Sequence, residues 1–376
     1  MSTTERRSRI EALGAFLPAG SQTNEELRAE APGLGDADVE RITGIAERRV
    51  HDPDPAAGED SFGMALAAAR DCLAASRHRA ADLDVVISAS ITRVKDGSRF
   101  HFEPSFAGML AGELGARPGV LSFDVSNACA GMMTGVWLLD RMIRSGAVRS
   151  GMVVSGEQAT RVARTAAREL TDSYDPQFAS LSVGDSAAAV ILDESSDPAD
   201  RIHYIELMTC SEYSHLCMGM PSDRGQGIAL YTDNKKMHDR NRLKLWPRFH
   251  EDFLAKHGHR FADEEFDYVI HHQVGTRFID YVNQTAEAEF GTPMPASLQV
   301  VERFGNTATT SHFLTLREHL RGNADLRGNA DLRGNADLRG NAHPDQARSG
   351  ARYLMVPAAS GVVTGALSAT ITNARV

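Results

Sequence analysis

The feature that most constrains this chain is an alternation of short, continuously apolar runs with longer stretches of helical period. The runs fall at 84–89 (DVVISA), 121–125 (LSFDV), 152–155 (MVVS), 187–192 (AAAVIL), 268–271 (YVIH) and 353–356 (YLMV). Runs apolar on both faces read as strands buried on both sides. Helical spacing fills 61–75, 130–145 and 241–257 between them. That order predicts an α/β fold, with a mixed or parallel sheet covered by helices on both faces. A length of 376 residues is too long for one small domain. The segment 195–200 (SSDPAD) divides the chain into 1–197 and 198–376, two halves of similar texture. The stretch 353–371 is apolar enough to raise a membrane span. It is broken by Pro357, Gly361 and Gly365 and carries Ser360, Thr364, Ser368 and Thr370, so it reads as two buried strands joined by a glycine turn.

Charge and cysteine content narrow the function. A formal charge of -10 argues against nucleic acid as the main partner, since phosphate binding needs a basic face. The four cysteines, Cys72, Cys129, Cys210 and Cys217, include no C-x-x-C pair and join no histidine cluster, so no metal site is expected. Residues 1–9 are polar with no apolar core behind them, so no secretory signal is expected. Free thiols then fit a reduced, cytoplasmic setting. From 321 to 342 the hexapeptide RGNADL recurs. Its period is too short for a helical solenoid, and it reads as a mobile surface loop without catalytic role.

Three residues stand out chemically. Cys129 follows the strand LSFDV through a short turn, and Ala130-Gly131 open a helical pattern behind it. Met132, Gly135, Val136, Leu139 and Ile143 share one face of that helix. A cysteine at a helix N-terminus faces unpaired N–H groups and the positive end of the dipole, which favour the thiolate. His272 lies just past the strand 268–271, where α/β sheets place functional groups. Asn306 stands in Gly305-Asn306-Thr307 ahead of a helical stretch at 309–320. Each has an ordinary alternative: a buried structural thiol, a surface histidine, a turn or cap asparagine. For Cys72, Cys210 and Cys217 the structural reading is the expected one.

Together these segments resemble the 3-oxoacyl-carrier-protein synthase III branch of the thiolase superfamily, over nearly the whole chain. The matching motifs are Gly44-Ile45 with Arg48-Arg49, Ser126-Asn127-Ala128-Cys129, Gly184-Asp185-Ser186-Ala187, His272-Gln273, Gly305-Asn306-Thr307 and the glycine loop from Ser360-Gly361 to Gly365. A narrower resemblance is to olefin-pathway enzymes that join two acyl thioesters head to head, through the forms S-N-A-C and H-Q-V-G and through Glu103-Pro104, where Glu103 lies 26 residues before Cys129. The loop Ala358-Ala359-Ser360-Gly361 is poorer in glycine than the family's, and the RGNADL repeat is foreign to it.

The resemblance implies a five-layered αβαβα fold of two similar halves, usually a homodimer. It implies no cofactor beyond an acyl thioester of coenzyme A or of an acyl carrier protein. Cys129 would be the acylated nucleophile, and His272 and Asn306 would stabilise an enolate. The backbone N–H groups of Cys129, Ser360 and Gly361 would hold the oxyanion. Glu103 would be the base of a head-to-head Claisen condensation, reaching the partner's site in a dimer. Decarboxylative condensation with a malonyl thioester and acyl transfer to an alcohol or amine remain open. Arg161, Arg164 and Arg168 share a helix face suited to an acidic carrier protein, and equally to a solvated surface. A cysteine protease also runs Cys, His, Asn, but the papain-type signature is absent; a serine hydrolase lacks its G-x-S-x-G. A non-catalytic subunit of this fold would be expected to lack the cysteine.

Overall fold

The computed structural model describes residues 6–322, 325–327 and 350–376. The first half contributes five strands: β1 (Ser8–Phe16), β2 (Val85–Ser88), β3 (Leu121–Asp124), β4 (Ser150–Glu157) and β5 (Ser186–Glu194). The second half contributes β6 (Arg201–Thr209), β7 (Tyr268–His271), β8 (Ala296–Gln299), β9 (Ala351–Val356) and β10 (Val363–Ile371). The first sheet runs β1-β5-β4-β2-β3 and the second runs β6-β10-β9-β7-β8. In each, the first strand pairs antiparallel with the fifth and the fifth with the fourth, while the second lies parallel to the fourth and third. One topology is therefore written twice.

Helices complete the layers. α1 (Ser61–Ala75) and α2 (Phe106–Glu113) cover the outer face of the first sheet, where Phe62, Ala68, Phe106 and Leu110 meet Val86, Met152 and Ile191. α3 (Gly131–Arg144) lies between the sheets, with Met132, Val136, Leu139 and Ile143 buried against residues of both. α4 (Leu245–Lys256) and α5 (Thr276–Phe290) cover the outer face of the second sheet through Trp246, Leu254, Ala286 and Phe290. α6 (Ser311–Leu320) joins α3 in the central layer through Phe313 and Leu316. This is the five-layered αβαβα arrangement expected from the sequence.

The local differences have physical causes. The expected helix 241–257 is two pieces, Arg240–Leu243 and α4. Pro247 has no N–H for the carbonyl of Leu243 and crowds it, so the helix breaks between them. β1 has no apolar run because two of its charges are buried. Arg9 donates to Asp193 at 2.9 Å and to Asp200 at 2.8 Å, and Glu11 accepts from Ser76 Oγ at 2.5 Å. Asp325–Arg327, within the RGNADL repeat, forms an edge strand antiparallel to β8. The repeat's positions 323–324 and 328–342 lie outside the described residues. The stretch 353–371 forms two antiparallel strands, β9 and β10, as expected. Among the described residues no helix is long and apolar enough to cross a membrane.

Because α3 is gripped from both sides, Leu139→Ala should open a cavity between the sheets and cost about 2–5 kcal/mol. The check is the urea unfolding midpoint, with an unchanged denaturant slope showing that only stability moved.

Candidate active site

Cys129 sits in a 3₁₀ turn, Ala128–Ala130, that runs directly into α3. Ala128 is held at φ 45°. A non-glycine residue there costs roughly 1–3 kcal/mol, the kind of strain that persists where packing enforces it. The cysteine side chain packs with Ala130, Ala359 and Val363, so the strand pair that carries Ser360-Gly361 lies against the nucleophile turn. Gly361 has φ 119°, a backbone that side chains rarely adopt, and its neighbour Val362 is pinned by mutual hydrogen bonds with Cys210.

The second half supplies the other two residues. His272 leaves the end of β7 and is held by its backbone N–H to the carbonyl of Val356 at 3.1 Å. Its Nδ1 lies 2.8 Å from Ser311 Oγ. The adjacent His271 points away and bonds Asn283 through Nε2 at 2.7 Å. This separates His271 from His272, the histidine singled out in the sequence. Asn306 is stapled to the first half: its N–H donates to Ser182 O at 2.8 Å, and its carbonyl accepts from Gly184 at 2.9 Å. Its Oδ1 accepts from Ala308 N at 3.1 Å, which leaves the side-chain NH₂ free to donate outward. Gly305 permits the staple. It has φ 71°, and a Cβ on it would lie 2.8 Å from Ser182 O and 2.9 Å from Arg48 Cβ. Three separate motifs therefore meet at one point: Arg48, Gly184 and Gly305.

The two halves close on each other at this point. Ala308 repeats the conformation of Ala128, at φ 53°, and opens the 3₁₀ turn Ala308–Thr310 that runs into α6. A Cβ on Gly131 would lie 3.3 Å from Thr309 Cγ2, so the cysteine turn and the asparagine turn are in contact. A narrow, largely apolar cavity of about 40 Å³ borders His272, with Trp246, Phe278, Val356 and Val363 in its walls. The larger surface cavity, about 450 Å³, is lined by Asp38, Glu40, Arg41, Asp280 and other polar residues and holds none of the predicted site residues.

Burial dominates the electrostatics of His272, while Cys129 and Asn306 are half-buried. The Cys129 thiol is pushed up to about 12, first by burial and then by the neighbouring Cys217 thiol and Glu157 carboxyl. Burial thus opposes the thiolate that the helix N-terminus favours. The structure also places Cys217, read from sequence as merely structural, close enough to bear on Cys129. Burial, with His312 nearby, lowers His272 to about 3 and keeps the ring neutral. Burial lowers His271 and His312 to about 4.

Two further residues were not legible as site residues. Glu157, at the end of β4, is fully buried and raised by burial. Its carboxyl is met by Ile91 N, Thr92 N, Thr92 Oγ1, Ser155 Oγ and Thr309 Oγ1 at 2.8–3.2 Å. The available signal was an acid closing an apolar strand. Ser311 is buried at the first residue of α6, and only its contacts reveal it. Glu103 is exposed, on a loop beside exposed Phe100 and Phe102. Among the described residues no cluster suited to a metal ion occurs.

Residues 123–210 match the family model of 3-oxoacyl-[acyl-carrier-protein] synthase III. Of the curated relatives, the beta-ketoacyl-[acyl-carrier-protein] synthase III of Alkalilimnicola ehrlichii is 29% identical, covering 84% of this chain and 90% of its own length. That of Neisseria gonorrhoeae is 26% identical over 84% and 90%. Of the solved structures, a cysteine-to-serine variant of Xanthomonas campestris OleA with bound lauric acid and lauroyl-CoA matches with a TM-score of 0.75 at 22% identity, over 97% of this chain and 99% of that one. Pseudomonas aeruginosa FabH matches with 0.74 at 20%, over 98% and 99%.

A thiol raised to about 12 by burial gives a direct prediction. Alkylation of Cys129 by iodoacetamide, in the absence of substrate, should rise about tenfold per pH unit between pH 7 and pH 10 with no plateau. A plateau near neutrality would reveal a thiolate already formed. Mass spectrometry of the Cys129 peptide separates it from the other three thiols.

Proposed function

We propose that this thiolase-superfamily condensing enzyme becomes acylated on Cys129 and joins that acyl group to a second acyl thioester, giving a β-keto product. The observation that carries the reading is the contact of the Cys129 turn with the Asn306 turn across the seam between the halves, with His272 bonded to Ser311 just past that turn.

The steps follow from the residues. Cys129 sulfur attacks the thioester carbonyl and the donor thiol leaves, forming an acyl-enzyme. The developing oxyanion would be met by the backbone N–H groups of Cys129 and of the Ser360-Gly361 turn. A base takes a proton from the carbon beside the second thioester, and the carbanion attacks the acyl-Cys129 carbonyl. Cys129 sulfur is expelled as the carbon–carbon bond forms. Asn306, with its Oδ1 occupied by Ala308 N, offers its NH₂ to the enolate oxygen.

Glu103 is the base in this reading, acting in the site of a second subunit. OleA has been solved with its cysteine replaced and with a glutamate 26 residues ahead of it replaced, the spacing of Glu103 and Cys129. Arg161, Arg164 and Arg168 on the helix Thr160–Glu169 form no ion pair among the described residues, a surface suited to an anionic donor such as coenzyme A or an acidic carrier protein.

A second reading is favoured by the Asn306 amide, a donor suited to an enolate oxygen. Decarboxylation of a malonyl thioester needs hydrogen-bonding groups at the enolate and no strong base, and the relatives named beta-ketoacyl-[acyl-carrier-protein] synthase III fit it.

Incubation with lauroyl-coenzyme A alone separates the two. Sustained release of coenzyme A with a head-to-head β-keto product is the expected outcome. Glu103→Ala should then lower product formation by roughly 100-fold or more while Cys129 still becomes acylated. A single stoichiometric acylation that stalls until a malonyl thioester is added would replace this reading with the decarboxylative one.

A further inference from the structure

We propose that Ser311 is a positioning residue that puts the proton of neutral His272 on Nδ1 and ties that ring to the turn holding Asn306. The inference rests on the reading of Cys129 as the nucleophile and adds to it the direction in which the thiol proton travels.

Ser311 Oγ has two partners. It lies 2.8 Å from His272 Nδ1 and 3.1 Å from the carbonyl oxygen of Ala308. A hydroxyl carries one proton, and a carbonyl oxygen only accepts. One assignment satisfies both contacts: the hydroxyl donates to Ala308 O, and His272 Nδ1–H donates to Ser311 Oγ. The opposite assignment sends the hydroxyl proton to Nδ1. It leaves two oxygen atoms 3.1 Å apart with no hydrogen between them, in a site where Ser311 and His272 are both buried and water cannot repair the loss. The rest of the surroundings agrees. Val356 O receives the His272 backbone N–H at 3.1 Å and accepts from His312 Nε2 at 3.0 Å. His312 therefore carries its proton on Nε2, and its ring stands 6.1 Å from that of His272.

With Nδ1 protonated, Nε2 of His272 presents a lone pair. The resting ring is then an acceptor, and Asn306 is the side chain that donates. As Cys129 sulfur bonds to the thioester carbonyl carbon, the carbonyl π pair moves to oxygen and the thiol proton moves to Nε2. When the tetrahedral species collapses, the bond to the donor sulfur breaks and that sulfur leaves with the proton from Nε2. His272 returns to its starting tautomer. The same hydroxyl reaches Ala308, whose N–H holds Asn306 Oδ1 at 3.1 Å, so one side chain connects His272 to Asn306.

The test is the ¹⁵N spectrum of the full chain with labelled histidine, with the His272 signals assigned through His272→Gln. The expected wild-type spectrum shows a protonated, pyrrole-type Nδ1 and a bare, pyridine-type Nε2. Ser311→Ala should lose that preference and Ser311→Thr, which keeps the hydroxyl, should retain it. The rate of Cys129 acylation by lauroyl-coenzyme A should fall on the order of tenfold or more in Ser311→Ala, with the concentration dependence unchanged, and recover in Ser311→Thr. A wild-type spectrum with the proton on Nε2 overturns the proposal without reference to any variant. So does a Ser311→Ala protein with the wild-type tautomer. If wild-type Cys129 is not acylated at all, the proposed function fails, while the spectrum still decides the tautomer.

Discussion

The rest of the molecule depends on the burial of α3 and α6 between two sheets. Each helix contributes apolar residues to the core between the two sheets. That sandwich fixes where the helices begin. Both start from a 3₁₀ turn opened by an alanine at positive φ, Ala128 in one half and Ala308 in the other. The repeated topology brings these starts face to face, so Cys129 and the Asn306 turn meet because the fold is written twice. The strain at two alanines is tolerated because close packing around them leaves no other path for the chain.

The same burial sets the chemistry. A helix N-terminus favours a thiolate, while burial pushes the Cys129 thiol the other way. His272 is kept neutral by the same cause. If Cys129 and His272 act as proposed, a neutral thiol and a neutral imidazole would develop charge only when substrate arrives, and the hydrogen-bond direction set at Ser311 would then bear on the steps.

Much of this was legible in the sequence, for local reasons. Strands with continuous apolar runs announce burial, and 268–271 is β7 to the residue. Cys129, His272 and Asn306 stand beside turns whose glycines and small residues are themselves visible. What was not legible depends on distant partners. β1 hides its strand behind Arg9 and Glu11, whose charges are matched by Asp193, Asp200 and Ser76. Ser311 looks like any helix-start serine until His272 arrives from 39 residues away. The split of 241–257 could have been read from Pro247, since the missing N–H is a property of that residue alone.

The question of a base narrows on the same grounds. Glu157 is the carboxyl that bears on Cys129, yet Ile91 N, Thr92 N, Thr92 Oγ1 and Ser155 Oγ all donate to its two oxygens. A carboxylate has about four lone-pair sites, so Glu157 has no free site at which to take a proton, and drawing it away would strand several buried donors. It holds the loop of Ile91 and Thr92 in place. Glu103 has the opposite character: it is exposed, beside Phe100 and Phe102, two aromatic rings that the single chain leaves in water at 53% and 81% exposure. Exposed aromatic area of that kind is stabilised by a covering surface. A surface that buried those rings would also desolvate Glu103 and raise its basicity. In the proposed reading, proton abstraction by Glu103 beside a thioester would need the association of two chains, whereas the decarboxylative alternative would not draw on Glu103.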